Sequence, residues 1–183
     1  MKRISKGEAA ESAGDQRSPP IIVVGIDPGL ANLGLGAVEE QGKRWRLLGS
    51  KLVHTKNREE QAARLQALFQ ATSTFLLQYR PHAVAIESQY FHQQRATAFK
   101  VGQAFGVCLL ATRELQLPVC EYGPMQVKQA LVGNGRASKE QVNYMVRALL
   151  NLKGAPESHH VSDAIAMALT HLSFRRLGAV REG

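Results

Sequence analysis

Acids are scarce in this chain, and three of them sit where apolar neighbours should exclude them. Aspartate occurs at three positions, Asp15, Asp27 and Asp163. Asp27 closes the β-branched run Ile21-Ile22-Val23-Val24-Gly25-Ile26, and Glu87 closes Ala83-Val84-Ala85-Ile86. Asp163 stands inside an apolar stretch that includes Val161, Ile165, Met167 and Leu169. A carboxylate so surrounded is costly unless something pairs with it. Each has a plain explanation alone: Asp27 starts a turn, Glu87 meets an arginine, Asp163 faces water. Three together in an acid-poor chain point instead to a metal site. Gathered carboxylates resist joint ionisation, and hard divalent cations relieve that repulsion. Two such ions ~3.5–4 Å apart activate a water and stabilise the leaving oxygen of an in-line displacement at phosphorus. The chemistry expected is phosphodiester hydrolysis.

The overall charge supplies the matching substrate. The 183 residues carry 23 Lys and Arg against 15 Asp and Glu, a net +8. A balance this basic favours a polyanion as partner. Residues 1–20 hold four basic and three acidic residues, so 19 minus 12, or +7, belongs to the rest. Those first residues are rich in Ser, Gly, Glu and Lys and end in Pro19-Pro20, which reads as a disordered leader. The leader has no apolar core of a secretory signal, and no run approaches the ~20 apolar residues of a membrane span, so a cytosolic protein is expected. Cys108 and Cys120 have no metal-like spacing, which excludes a zinc knuckle or disulfide framework.

Periodicity supplies the elements that must hold these acids. Residues 21–27 and 83–87 read as buried strands, and 33–38 and 45–54 as two antiparallel strands of a meander. A fifth strand is expected over 117–122. Helical spacing covers 58–79, 94–115, 125–132, 139–150 and 158–175, with Ser158 as a candidate N-cap of the last. The order βββαβαβα, its final α standing for three successive helices, predicts an α/β fold, a mixed five-stranded sheet flanked by helices, over residues 21–174, with 175–183 as a flexible tail.

Four motifs then carry a resemblance. Gly25-Ile26-Asp27-Pro28-Gly29, Ala85-Ile86-Glu87, Met125-Gln126-Val127-Lys128-Gln129 and His160-Val161-Ser162-Asp163-Ala164 resemble those of RuvC-type Holliday junction resolvases, in order and across about Ile21 to Leu172. The resemblance implies an RNase H-like fold, a two-fold homodimer and dependence on Mg²⁺ or Mn²⁺, two ions per site. It further implies paired nicks across four-way junction DNA, a RuvA- and RuvB-type branch-migration complex as partner, and a bacterial cytoplasmic setting. Asp27, Glu87 and Asp163 become metal-binding catalytic carboxylates. The family pattern has aspartate three residues before the last acid, and here that position is His160. His160 is i,i+3 from Asp163, so both can address one point as ligands; the competing reading makes it a helix cap. An imidazole in place of a carboxylate is expected to tilt the site towards Mn²⁺. Activity should fall as His160 protonates, near pH ~6.5 for an ordinary imidazole.

The same resemblance makes Lys128 and Lys139 active-site lysines contacting the scissile region. Tyr90, between Gln89 and Phe91, becomes a wedge at the junction centre, with ordinary packing as the alternative. Arg95, in a stretch with no acid between Glu87 and Glu114, is assigned to DNA binding, and Arg136 to nonspecific affinity for the DNA backbone. In the helix over 94–115, Gly102 and Gly106 would allow close approach across the two-fold axis, or the helix is simply central to the core. Two rival functions remain: a catalytically weak junction-binding protein that lost a ligand at His160, and an actin-like-fold phosphotransferase suggested by Asp27-Pro28-Gly29-Leu30.

Overall fold

A computed structural model of the chain describes residues 19–88 and 95–178. Among these, five strands and five helices follow in the expected order: β1 (Ile21–Asp27), β2 (Asn32–Gln41), β3 (Arg44–His54), α1 (Gln61–Tyr79), β4 (Ala83–Glu87), α2 (Arg95–Glu114), β5 (Val119–Tyr122), α3 (Pro124–Val132), α4 (Lys139–Leu149) and α5 (His159–Arg176). The strands form one sheet ordered β3-β2-β1-β4-β5. The meander β1-β2-β3 is antiparallel, whereas β4 and β5 join β1 in parallel. The mixed sheet expected from the sequence is therefore present.

Alternation divides the sheet into two chemically different faces. Val24, Ile26, Leu35, Ala37, Val84 and Ile86 point to one side and pack with α1 and α2 residues such as Leu68, Phe75, Ala104 and Cys108. Val23, Val38 and Ala85 point to the other and pack with Val161, Ile165 and Leu169 of α5. Asp27 and Glu87 share the phase of Val23 and Ala85, so both acids look towards α5.

Glycines bring that helix onto the sheet. A Cβ at Gly25 would lie 1.8 Å from the Ala164 carbonyl oxygen, and one at Gly34 would lie 2.0 Å from that of His160. Gly25 pairs with Gly36 across the sheet, and Asp27 pairs with Gly34. The bare backbone of β1 and β2 thus forms a track into which α5 settles, and the track ends at Asp27. This explains how a helix as apolar as α5 can carry two polar site residues. Its N-terminal turn projects past the end of the buried glycine track.

Several ends fall a few residues from their expected places, each for a local reason. The first helix begins at Gln61 rather than 58, because Lys56 and Glu59 close a turn through Glu59 N–H to the Lys56 carbonyl and Lys56 N–H to the Glu59 carboxylate. Strand β5 starts at Val119 rather than 117, since Gln116 takes a left-handed φ of 56° and Leu117 still bonds back to α2. Helix α5 runs past residue 174: Arg175 donates to Glu40 Oε2 at 3.1 Å, and Arg176 bonds the same buried carboxylate while lying over Trp45. Arg175 and Arg176 thus belong to the folded body. Residues 1–18 and 179–183, and so nearly all of the leader and most of the tail, lie outside the described residues.

Candidate active site

Four of the expected residues converge at the carboxyl ends of two parallel strands, where open α/β sheets commonly bind ligands. Asp27 ends β1 and Glu87 ends β4, neighbours in the sheet. From across the sheet, α5 contributes His160 and Asp163. Its N-cap is Ser158, whose hydroxyl accepts from Val161 N–H at 3.2 Å. The cap reading of His160 is thereby displaced: its ring Nδ1 lies 2.7 Å from Asp27 Oδ2 instead.

Charge marks this as an unusual place. Burial, the negative charges of Asp27 and Asp163, and a hydrogen bond shared with Asp27 push the Glu87 carboxyl up to about 7. Below that value Glu87 stays protonated, because a third negative charge beside Asp27 and Asp163 is unfavourable in a buried setting. The His160 imidazole moves upwards, chiefly through its hydrogen bond to Asp27 and against the opposing effect of burial. That corrects the expectation of an ordinary imidazole: in the absence of metal His160 keeps its proton above pH ~6.5.

Lysines close the site from the other side. Lys139, first residue of α4, donates from Nζ to Asp163 Oδ2 at 2.7 Å. Its helix is fixed by a capping box, with Ser138 and Gln141 exchanging backbone-to-side-chain bonds. Lys128 shares with Glu87, Lys139 and Asp163 the walls of a cavity of about 230 Å³. The glutamines flanking it are structural: Gln126 accepts from Gly123 N–H at the start of α3, and Gln129 staples the Gly133-Asn134-Gly135 turn through Gly133 O and Gly135 N–H. Arg136 is exposed on that turn, held by its backbone to Asn134. Arg95 is the first residue of α2. Gln89, Tyr90 and Phe91 lie outside the described residues.

A larger cavity, about 680 Å³, flanks the acids on the far side of His160 and is lined by Asn32, Asn143, Arg147 and His159 among others. None of Asp27, Glu87 and Asp163 lines this larger cavity, so the carboxylates rather than cavity size mark the candidate site. Two residues to which the sequence reading gave no role also join the site: the Ser162 hydroxyl donates to Asn143 Oδ1 at 2.7 Å, linking α5 to α4. Their signal was positional, one residue before Asp163 and one turn after Lys139.

Among the described residues, no three His, Cys, Asp or Glu side chains already form a cage around one point. Two of the acids are engaged by neighbouring side chains instead, Asp27 by His160 Nδ1 and Asp163 by Lys139 Nζ. The donor set nonetheless fits a hard divalent cation, being three carboxylates and an imidazole whose mutual repulsion such an ion would relieve.

A five-stranded mixed sheet with acids at the ends of β1 and β4 and on the helix packed across them defines an RNase H-like nuclease. The family profile of crossover junction endodeoxyribonuclease RuvC matches residues 23–171. The chain is 46% identical over 164 residues to the crossover junction endodeoxyribonuclease RuvC of Thermus thermophilus, covering 88% of this chain and 99% of that protein. It is similar to the structure of T. thermophilus RuvC in complex with a Holliday junction substrate, with a TM-score of 0.83 and 46% identity over 87% of this chain and 97% of that one. The yeast mitochondrial Holliday junction resolvase shares the fold at 12% identity and TM-score 0.59, over 84% of this chain and 80% of that one. The chain belongs to the RuvC family of crossover junction endodeoxyribonucleases. Members of this family depend on divalent metal, and the phosphotransferase reading is set aside.

Proposed function

We propose that this protein resolves four-way DNA junctions in recombination and repair, cutting two strands at symmetric positions through the cluster of Asp27, Glu87, His160 and Asp163. The observation that carries the assignment is the meeting of these acids at adjacent strand ends, with Glu87 driven to about 7. Asp27, Glu87, Asp163 and His160 would hold two Mg²⁺ or Mn²⁺ ions. Bound there, the ions supply a water acidic enough to attack phosphorus and charge stabilisation for the leaving oxygen.

The chain's own groups do the rest. Glu87 gives up the proton that burial and its acidic neighbours favour, and His160 gives up its own, so that all four donors can act as ligands. Lys139 leaves Asp163 free to bind an ion and turns its ammonium, with that of Lys128, towards the phosphate oxygens, where negative charge grows in the transition state. Arg95 and Arg136 add grip on the DNA backbone. Tyr90, beside Gln89 and Phe91, stacks against the bases where the arms branch and restricts cutting to the junction.

Paired cutting needs paired sites. Along α2, Phe99, Gly102, Gly106 and Leu110 recur at helical spacing; Phe99 is 66% and Leu110 55% exposed, and nothing lies within 4 Å of a Cβ built at either glycine. This stripe supports a homodimer with two equivalent sites. A RuvA- and RuvB-type complex would deliver the junction in the cytoplasm; among the described residues no helix is long and apolar enough to cross a membrane.

The test is a synthetic junction and a linear duplex of the same sequence, each with Mg²⁺ or Mn²⁺. Symmetric nicks confined to the junction support the resolvase. Tight junction binding with no cleavage in either metal supports the catalytically weak binder instead, with His160 as the lost ligand.

A further inference from the structure

Ser162 and Asn143 have no part in the roles assigned above, yet they bond each other beside the catalytic groups. Ser162 is buried, 3% exposed, and immediately precedes Asp163. Three buried threonines of the helices turn back on their own backbone: Thr72 donates to Leu68 O, Thr112 to Cys108 O and Thr170 to Ala166 O, each at 2.8 Å. Ser162 instead reaches across to Asn143 Oδ1 on α4, at 2.7 Å.

Asn143 lies one turn beyond Lys139 and on the same helix face. The two helices are therefore joined by two successive rungs, Asn143 to Ser162 and Lys139 to Asp163, both 2.7 Å long. Around the rungs the packing is apolar, with Val142 and Val146 in the same core cluster as Val161 and Ile165. Apolar packing is non-directional and tolerates sliding along the helix axis, whereas a hydrogen bond loses strength quickly when its geometry shifts. The outer rung cannot hold itself in place. Lys139 is 53% exposed, and an ion pair that open to water contributes little.

We propose that Ser162 and Asn143 are positioning residues, whose bond sets the axial register of α4 on α5 and so places the Lys139 ammonium beside Asp163, from where it turns to the scissile phosphate. The inference rests on the reading of Lys139 as a group acting at the scissile phosphate. A misplacement of about 1 Å can cost up to 10²-fold in rate. Ser162→Ala should therefore lower kcat on junction DNA roughly tenfold, with KM and the melting temperature little changed. Asn143→Ala should match it, and the double variant should be no worse than either single one.

Two readouts separate positioning from general loss of structure. In a Lys139→Ala background, Ser162→Ala should cause no further loss. In the metal-free protein, the nitrogen NMR signal of the Lys139 ammonium, ordered by its ion pair, should broaden or vanish in Ser162→Ala. The inference is overturned by a Ser162→Ala enzyme that cleaves at the wild-type rate, or by an equal fold-loss with and without Lys139. If Lys139→Ala itself cleaves normally, the reading of Lys139 fails first, and that single variant reveals it.

Discussion

His160 and Glu87 are the residues whose chemistry departs furthest from a generic carboxylate cluster, and both make pH-dependent demands. The Glu87 carboxyl ionises near 4.5 when unfolded and about 7 when folded without metal. Between those values the folded chain holds the extra proton, so stability falls as pH rises. The His160 imidazole is raised, so its contribution is complete below about 6.5 and fades as pH rises through the folded value. Both effects run the same way. The metal-free protein should lose on the order of 1–3 kcal/mol between pH 5 and 8, the lower end reflecting water at the partly exposed groups. Melting temperatures in chelator should fall over that range, and Glu87→Gln should flatten the profile; a stability that rises with pH would contradict this. Adding Mn²⁺ at pH 8 should restore the loss, because the ion replaces the protons. His160→Asp should shift activity from Mn²⁺ towards Mg²⁺, and an identical metal dependence in both proteins would count against direct ligation. At this scale the sequence was highly legible. Asp27, Glu87 and Asp163 could be found because apolar neighbours make an acid conspicuous. The Ser162 to Asn143 bond could not, since no local pattern says that a serine hydroxyl will leave its own helix.

Elements carry the site through one close contact, the seating of α5 on the glycines of β1 and β2. Gly34→Ala would drive a methyl group against the His160 carbonyl, and Gly25→Ala would drive one against Ala164. Neither obstacle is a side chain that could turn away. Each substitution should cost roughly 3 kcal/mol or more, seen as a lower denaturant midpoint. Gly102→Ala, where nothing lies within 4 Å, should leave the monomer fold intact. Equal effects at all three positions would contradict the track. The strands and helices themselves were legible from β-branched runs and helical spacing. What could not be read was the reason for Gly25, Gly34 and Gly36: a glycine in a strand signals a close approach without saying what approaches. The true ends of α1 and β5 were equally hidden, because a side-chain bond at Glu59 and a left-handed Gln116 decide them.

The whole molecule combines a basic body with a small acidic centre, and the two should be separable by experiment. Binding through Arg95, Arg136 and their neighbours should weaken steeply with salt. Phe99→Glu with Leu110→Glu should yield a monomer that binds junctions poorly and nicks one strand at a time; a double variant that still sediments as a dimer would remove α2 from the interface. Tyr90→Ala should reduce junction cleavage far more than duplex binding. The most direct test of the central claim compares wild type with Asp27→Asn on a four-way junction and a linear duplex, in Mg²⁺ and in Mn²⁺. Wild type should make paired, symmetric nicks in the junction alone, while Asp27→Asn should bind it normally and cut it at least about 10²-fold more slowly. Cleavage by Asp27→Asn at the wild-type rate, or equal cutting of the linear duplex, would contradict the account.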